Sequence, residues 1–427
     1  MSLVKNKKII YVIIAYLFLY KFFNCIYIST IPNFNGLTVI CMIIISIMAA
    51  SLVKRSLFKS DIQGIISKII IMFVISAVWA FAYWGQSFTD SYFSIFSVFS
   101  GGVMPLIFFF IFQKYNFSQE EAIKCFIFCG ILYSICLIIG LQTIPEPFFG
   151  FSAVDDIEKA YESSLDQRGV IRLNMPGSDF VIMLIFYVLS YFWHKKKYYF
   201  FLIPLFIILI LRGTRTPFFC ATFIGIIYVL TKIRNKFWIG ILLFITYISL
   251  FAATETLIKS DSDNILVKYV QMTNNQIENN NNEEDIRIEM SKYMISEFNT
   301  NPLAYIIGNG VPGRYGSYAK TMVNLGDNKG YYVVDVAFVH IFIYFGIIGL
   351  ILYALLILKV VRTKIPEKLD FAKLYIYYLV LIMPTNCSIV SMSSFMFAIA
   401  LYIINISKHT RSANHVRDSK AIISSSY

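Results

Sequence analysis

The sequence predicts an all-α polytopic membrane protein with about twelve transmembrane helices. Hydrophobic residues make up 58% of the 427 residues, which is more than a soluble domain of this length can cover with polar side chains. They occur in separate runs of roughly 17–25 residues, each long enough to cross a bilayer as a helix. The alternating segments of about ten residues that are typical of a membrane β-barrel are not seen.

Twelve apolar runs define the predicted spans. The first follows the basic segment MSLVKNKK and lacks a small-residue cleavage pattern, so we interpret it as a retained helix and not as a signal peptide. The predicted helices are 9–29, 37–53, 65–84, 92–112, 124–142, 177–193, 198–211, 216–231, 237–253, 334–358, 371–385 and 388–406.

The spans and their connectors divide the chain into six predicted parts. These are 1–142 with helices one to five, 143–176 as a first outer loop, 177–253 with helices six to nine, 254–333 as a large outer loop, 334–406 with helices ten to twelve, and 407–427 as a cytoplasmic tail. The large loop is far longer than an ordinary connector. We expect it to contain short helices.

Two patterns in the large loop predict local structure. Apolar residues recur at helical spacing, namely Ile288, Met290, Met294 and Phe298. This spacing predicts an amphipathic helix over 286–298 that lies against the membrane domain. The glycine-rich stretch YIIGNGVPGRYGSY, which follows it, predicts a tight irregular loop.

The distribution of charge predicts which side each connector faces. The predicted inner side carries 24 Lys and Arg against 6 Asp and Glu, whereas the outer side carries 12 against 19. Lysine-rich connectors face the cytoplasm in most membrane proteins. We therefore predict a multi-pass protein of the cytoplasmic (inner) membrane with both termini in the cytoplasm. The net charge of +12 then reflects topology and not nucleic-acid binding.

Cysteine and histidine give no sign of metal chemistry. The seven cysteines all fall in or beside apolar runs, where a thiol behaves as a small hydrophobe. The four histidines are few and scattered. We predict no disulfide framework, no metal site and no cofactor.

Arginine is concentrated on the predicted outer side. Half of the outer basic residues are arginine, compared with 5 of the 24 inner ones. The outer arginines are Arg168, Arg172, Arg212, Arg215, Arg287 and Arg314. A guanidinium never loses its charge and matches phosphate or carboxylate in a bidentate manner. The pattern favours a phosphorylated or acidic substrate at the outer face; salt bridges to the many nearby acids are the alternative.

Two arginine pairs stand out. Arg212 and Arg215 lie in the short turn LRGTRTP between two spans, where interfacial anchoring is the alternative to binding a lipid-linked phosphate. Arg168 and Arg172 are four residues apart, so on a helix they would share a face and clamp an anion. Pairing with Asp166 is the alternative for that second pair.

Asp335 and His340 lie at the start of the tenth span. A carboxylate is favoured at a helix N-terminus by the macrodipole, and Asp335 would also be placed to accept a proton from a hydroxyl. His340 is either a packed core residue or a substrate-binding residue.

Outside the cytoplasm a transfer needs a donor that carries its own leaving group. A polyprenyl pyrophosphate sugar meets this need, and arginines are suited to stabilising the pyrophosphate.

Four segments are similar, in their order along the chain, to the O-antigen polymerase and O-antigen ligase superfamily of membrane glycosyltransferases. They are QRGVIRLNMPG, LRGTRTP, FNTNPLAYIIGNGVPG and DVAFVHIFIYFGIIGL. In this resemblance Arg215 takes the place of the family arginine. Counting back from Gly346, Asp335 occupies the position of the ligase histidine, which favours a polymerase.

The resemblance implies a GT-C-like fold and a polymerase of repeat units linked to undecaprenyl pyrophosphate. The product would be O-antigen or capsular polysaccharide, made on the outer face of the membrane. The implied catalytic residues are Arg215, Asp335 and Arg172. The implied substrate-binding residues are Arg168, Arg212, Arg287, Arg314 and His340. The implied partners are the lipid-linked oligosaccharide, the lipid bilayer and a chain-length regulator protein.

Two other functions remain open at this point. One is an O-antigen ligase-type glycan transferase, which moves finished glycan to another acceptor. The other is a flippase or transporter of lipid-linked oligosaccharide. Transporters tend to show internal repeats and charges in mid-membrane, and neither is evident in the sequence.

Overall fold

The protein is built from helices. The structure, a computed structural model, describes residues 2–29, 34–91, 103–143, 147–150, 173, 175–212, 215–232, 285–299, 301–313, 315–390 and 395–408. Within these ranges all regular structure is α-helical or 3₁₀-helical, so the predicted all-α class is confirmed there.

The described ranges contain fourteen α-helices of six or more residues, numbered in chain order. They are α1 (Ser2–Leu19), α2 (Phe34–Ser56), α3 (Ile62–Trp84), α4 (Val103–Lys114), α5 (Gln119–Gln142), α6 (Ser178–Tyr191), α7 (Leu202–Leu211), α8 (Arg215–Lys232), α9 (Ile286–Ser296), α10 (Pro302–Ile307), α11 (Ser317–Lys329), α12 (Ala337–Arg362), α13 (Asp370–Ile382) and α14 (Phe395–Lys408).

Four of these helices are long and apolar enough to cross a membrane, namely α2, α3, α5 and α12. Shorter apolar helices include α4, α6, α7, α8 and α14. The predicted ninth span, 237–253, lies outside the described residues. The predicted domain boundaries and the sidedness of the connectors stay predictions.

The first span differs from its prediction as one continuous helix over 9–29. After α1, the backbone from Lys21 to Asn24 adopts positive φ angles of 40° to 58°, which ends the right-handed helix. The carbonyls freed by this break accept hydrogen bonds from Gly150, which follows α5. The Gly150 N–H donates to the carbonyls of Phe23 and Asn24, at 3.2 Å each. These hydrogen bonds satisfy backbone carbonyls that would be costly to leave without a partner in lipid. Sequence periodicity does not reveal such a contact.

Ion pairs fix the ends of helices on the predicted inner side. Lys8 of α1 lies 2.7 Å from Glu121, which also closes a capping box with Ser118 at the start of α5. Lys232 at the end of α8 lies 2.6 Å from Glu367, in the connector before α13. Lys8 and Lys232, both on the predicted inner side, thus tie helices together.

The glycine-rich loop docks on a break in α12. Gly346 has φ +63° and ψ −162°, which interrupts the helix. The Asn309 N–H donates to the Ile343 carbonyl at 2.7 Å, and the Gly310 N–H donates to the Tyr344 carbonyl at 3.0 Å. A methyl group on Gly346 would lie 2.3 Å from the Ile306 carbonyl oxygen. Two segments noted separately in the sequence therefore meet backbone to backbone.

The residues after α3 hold the other side of this loop. The Gln86 side chain is buried, accepts from the Gly313 N–H at 2.6 Å and donates to the Val311 carbonyl at 3.0 Å. Trp84 stacks on Tyr318 of α11, with 4.6 Å between ring centroids. The loop is thereby clamped between α3 and α12. It is tight and irregular, as its glycine content predicted.

The predicted amphipathic helix is present as α9. It buries Met290 and Met294 against α12, as the spacing predicted. Ile288 is instead half-exposed, at 50%, because the stripe that faces α12 is narrower than the apolar pattern suggested. Ile295 is also exposed, at 42%.

All seven cysteines are free thiols. Five are buried, and two in α2 and α8, Cys41 and Cys220, are partly exposed.

We expect Gly346→Ala to destabilise the fold. The added methyl group meets backbone and needs a left-handed conformation, so the free energy of unfolding should fall by about 2 kcal/mol or more. Thermal unfolding of the protein in detergent measures this. Gly36→Ala in α2, where no atom lies within 4 Å of the new methyl group, is the matched control and should be neutral or stabilising. Equal melting temperatures for Gly346→Ala and the wild type would contradict the docking.

Candidate functional site

The turn before α12 presents Asp335 at the surface. After α11 the chain reverses at Gly330, which has φ +69°, and forms a 3₁₀ turn over Val333–Asp335. The Ala337 N–H donates to the Met383 carbonyl at 2.8 Å, which joins the start of α12 to the end of α13. Asp335 is therefore carried by a turn that is anchored on both sides.

Arg287 is a cation whose charge reaches Asp335. It lies in the first turn of α9, where its backbone N–H donates to the Asp285 side chain at 2.8 Å. Its guanidinium is 3.9 Å from the same carboxylate and also interacts electrostatically with Asp335. The structure thus brings together two of the predicted site residues, Arg287 and Asp335.

The surroundings of Asp335 act on its proton affinity in two directions. Partial burial raises the pKa of the Asp335 carboxyl above its usual range, because water is excluded from the charged form. The Arg287 guanidinium lowers this pKa and opposes the rise. When ionised, the Asp335 carboxylate is consequently a better base than an aspartate that is fully surrounded by water.

A groove runs beside this pair on the α9 side. It has a volume of about 510 Å³, within the range of ligand-binding pockets. Its walls include Arg287, Lys292, Ile288, Ile295, Phe338 and Pro384; we call it the basic groove. Cations beside an aliphatic floor are suited to a ligand with a phosphate head and a hydrocarbon tail.

A second cleft lies on the other side of the Asp335 turn. It has a volume of about 410 Å³. Its walls include Pro312, Gly313, Asp327, Tyr331, Tyr332 and Val334; we call it the aromatic cleft. Val334 lines this cleft and Val336 lines the basic groove, so Asp335 stands in the chain between a residue of each.

The turn LRGTRTP, which we call the arginine turn over residues 212–215, joins α7 to α8. Arg212 caps the end of α7, and its Nη1 atom donates to the Ser178 hydroxyl at the start of α6. Arg215 begins α8, and its side chain lies outside the described residues. Arg212 is thus engaged by the protein itself.

The other predicted site residues are distributed as follows. Arg168, Arg172 and Arg314 lie outside the described residues. His340 is fully buried in α12, with its ring 4.2 Å from that of Tyr344. Neither of its ring nitrogens has a hydrogen-bond partner among the described residues. Its placement agrees with the packed-core alternative raised from the sequence.

Sequence reasoning missed three polar residues that organise this region. Gln86 and Asn309 clamp the glycine-rich loop, and Asp179 lies buried at the start of α6. Asp179 carried a signal that was available in the sequence, because an acid followed by the apolar run FVIMLIF must be buried with its helix. Gln86 and Asn309 carried none, since their partners are distant in the chain. Among the described residues no three His, Cys, Asp or Glu side chains gather where they could hold a metal ion.

Comparison with known proteins identifies one domain. No curated protein matches the chain. Residues 199–354 match a family described as O-Antigen ligase, whose members are glycosyltransferase-like membrane enzymes. The segment contains the arginine turn, Arg287, Arg314 and Asp335. Residues 199–354 therefore form an O-antigen ligase-family domain, which confirms the resemblance to the O-antigen polymerase and ligase superfamily.

Proposed function

We propose that this protein polymerises lipid-linked oligosaccharide repeat units on the outer face of the cytoplasmic membrane. The donor would be the growing glycan on undecaprenyl pyrophosphate, and the acceptor a second lipid-linked repeat unit. The product would be O-antigen or capsular polysaccharide. The observation that carries the proposal is the electrostatic interaction of Arg287 with Asp335, within the matched domain and next to residues that line two clefts of different chemistry. A GT-C-like arrangement of the spans belongs to the same proposal.

The chemistry assigned to the site is a single displacement. An acceptor hydroxyl oxygen attacks the anomeric carbon of the donor while Asp335 takes the hydroxyl proton. The bond from the anomeric carbon to the pyrophosphate oxygen breaks, and the pyrophosphate leaves with the electron pair. Arg215, with Arg212, stabilises the negative charge on the leaving group, as guanidinium groups do for phosphates.

The two clefts accommodate the two substrates in this proposal. The basic groove supplies cations and an aliphatic surface for the donor lipid and its pyrophosphate. The aromatic cleft supplies tyrosine rings and Asp327, which suit the mixed apolar and polar faces of a sugar. We assign Arg168, Arg172 and Arg314 to orienting phosphates or glycan. A chain-length regulator would act on this site from outside the chain.

The identity of residue 335 bears on the choice between polymerase and ligase. A carboxylate stands where the resemblance places a ligase histidine. Cells that lack the gene would show single repeats attached to their surface if the protein is a polymerase. They would accumulate long lipid-linked polymer without surface attachment if it is a ligase. Turnover by purified protein in detergent, with no membrane to cross, would exclude a flippase.

Asp335→Ala and Arg215→Ala are expected to abolish polymer in cells that otherwise display it. Loss of a general base should slow transfer by about 100-fold or more, and loss of a leaving-group cation by a similar factor. Glycan ladders on gels measure chain length, and immunoblots measure protein level. Arg362→Ala, at the exposed inner end of α12, is the matched control. Long chains from both site variants at normal protein level would refute the assigned roles.

The pH dependence of transfer should report on Asp335. Only the ionised carboxylate accepts a proton, so activity falls as the pH drops through the pKa of Asp335. Arg287 lowers that pKa, and Arg287→Ala should therefore move the acid limb of the pH–rate profile to higher pH. Arg287→Lys keeps the charge and should leave the limb close to its wild-type position. An acid limb that is the same in all three proteins would show that Asp335 is not the titrating base.

A further inference from the structure

A buried acid lies in the membrane domain outside the predicted site. Asp179 stands in the first turn of α6 and is 3% exposed. Its Oδ2 atom has no hydrogen-bond partner among the described residues. An ionisable group enclosed in a membrane protein is costly unless a cation or donors compensate it, and such groups are usually functional.

Tyrosines enclose this carboxylate. Four tyrosines interact electrostatically with Asp179, namely Tyr20, Tyr133, Tyr375 and Tyr378. All four side chains are buried, so the acid is surrounded by protein and not by lipid. Tyrosine hydroxyls moderate the cost of burying the carboxylate without supplying a positive charge.

Arg212 supplies that positive charge. Its Nη1 atom donates to the hydroxyl of Ser178, the residue before Asp179, and its guanidinium interacts electrostatically with Asp179. The hydrogen bond joins residues 34 apart in the chain. It ties the arginine turn to the start of α6.

Without Asp179 this position would be unfavourable for a cation. The first turn of a helix carries a partial positive charge from the macrodipole. Arg212 lies against that end of α6, in surroundings that screen charge weakly. The Asp179 carboxylate reverses the local field and makes the position attractive to the guanidinium.

We propose that Asp179 is a positioning residue that holds Arg212, and with it the arginine turn, where the departing pyrophosphate is stabilised. The inference rests on the proposed function. Asp179 touches no substrate. It acts by orienting the side chain of Arg212. Through its hold on Arg212, Asp179 supports the stabilisation of the leaving group that is proposed for Arg212 together with Arg215.

A double-mutant cycle with the full-length protein in detergent tests this role. The donor and acceptor are the lipid-linked repeat units isolated from the producing cells. Asp179→Asn removes the charge at constant size and should lower kcat/KM by about tenfold or more. Asp179→Glu restores the charge and should recover most of the activity. The variant with both Asp179→Asn and Arg212→Gln should be no less active than Arg212→Gln alone, because Asp179 acts through Arg212.

Ser190→Ala is the matched control for lost packing. Ser190 is buried at the other end of α6, where its hydroxyl accepts a hydrogen bond from the Phe371 N–H of α13 at 3.0 Å. This variant should melt at a lower temperature with near wild-type kcat/KM. Asp179→Asn should instead keep its melting temperature and lose kcat/KM. The comparison is made at equal folded fraction, measured by size-exclusion chromatography.

Each outcome of the cycle decides the question. If the fold-loss in kcat/KM of the double variant equals the product of the two single fold-losses, Asp179 acts independently of Arg212 and the proposal is overturned. If Asp179→Asn fails to fold while the double variant folds, the two charges compensate each other, which supports it. If both fail to fold, Asp179 is only structural. A wild-type protein that transfers no glycan would instead refute the proposed function itself.

Discussion

The docking of the glycine-rich loop on the broken helix α12 is the contact on which the region around Asp335 depends. Lipid offers no partners to backbone groups, so a break in a spanning helix must be filled by protein. At Gly346 the freed carbonyls of Ile343 and Tyr344 accept from the backbone of Asn309 and Gly310. Gly308 and Gly346 approach too closely for any side chain. The glycine-rich loop therefore supplies hydrogen bonds that helix α12 needs.

The same docking determines where the candidate site stands. With the loop held between α3 and α12, helix α9 packs on α12 and holds Arg287 where its charge reaches Asp335. Helix α11 then returns the chain to the Asp335 turn and forms a wall of the aromatic cleft. The charged pair and both clefts thus follow from one backbone contact, with side chains added around it.

The sequence was informative wherever a pattern was local. Hydropathy predicted the spans that the structure describes, and the spacing of Met290 and Met294 predicted α9 and its buried side. Glycine content predicted the tight loop. The break after α1 was missed because it depends on Gly150, more than a hundred residues away. Gln86 and Asn309 were missed for the same reason, since a single sequence does not show which distant backbone groups need a partner. Ile288 was wrongly placed in the buried stripe, because spacing alone does not give its width.

The distribution of the native cysteines has a practical consequence. Each thiol is enclosed by protein or lies within an apolar helix, so a water-soluble maleimide has little to react with in the unaltered chain. Single cysteines placed at open positions, such as Tyr315, which is 76% exposed, become unique chemical handles. The wild-type background thus already suits labelling of intact cells with membrane-impermeant reagents, with no need to replace its cysteines first.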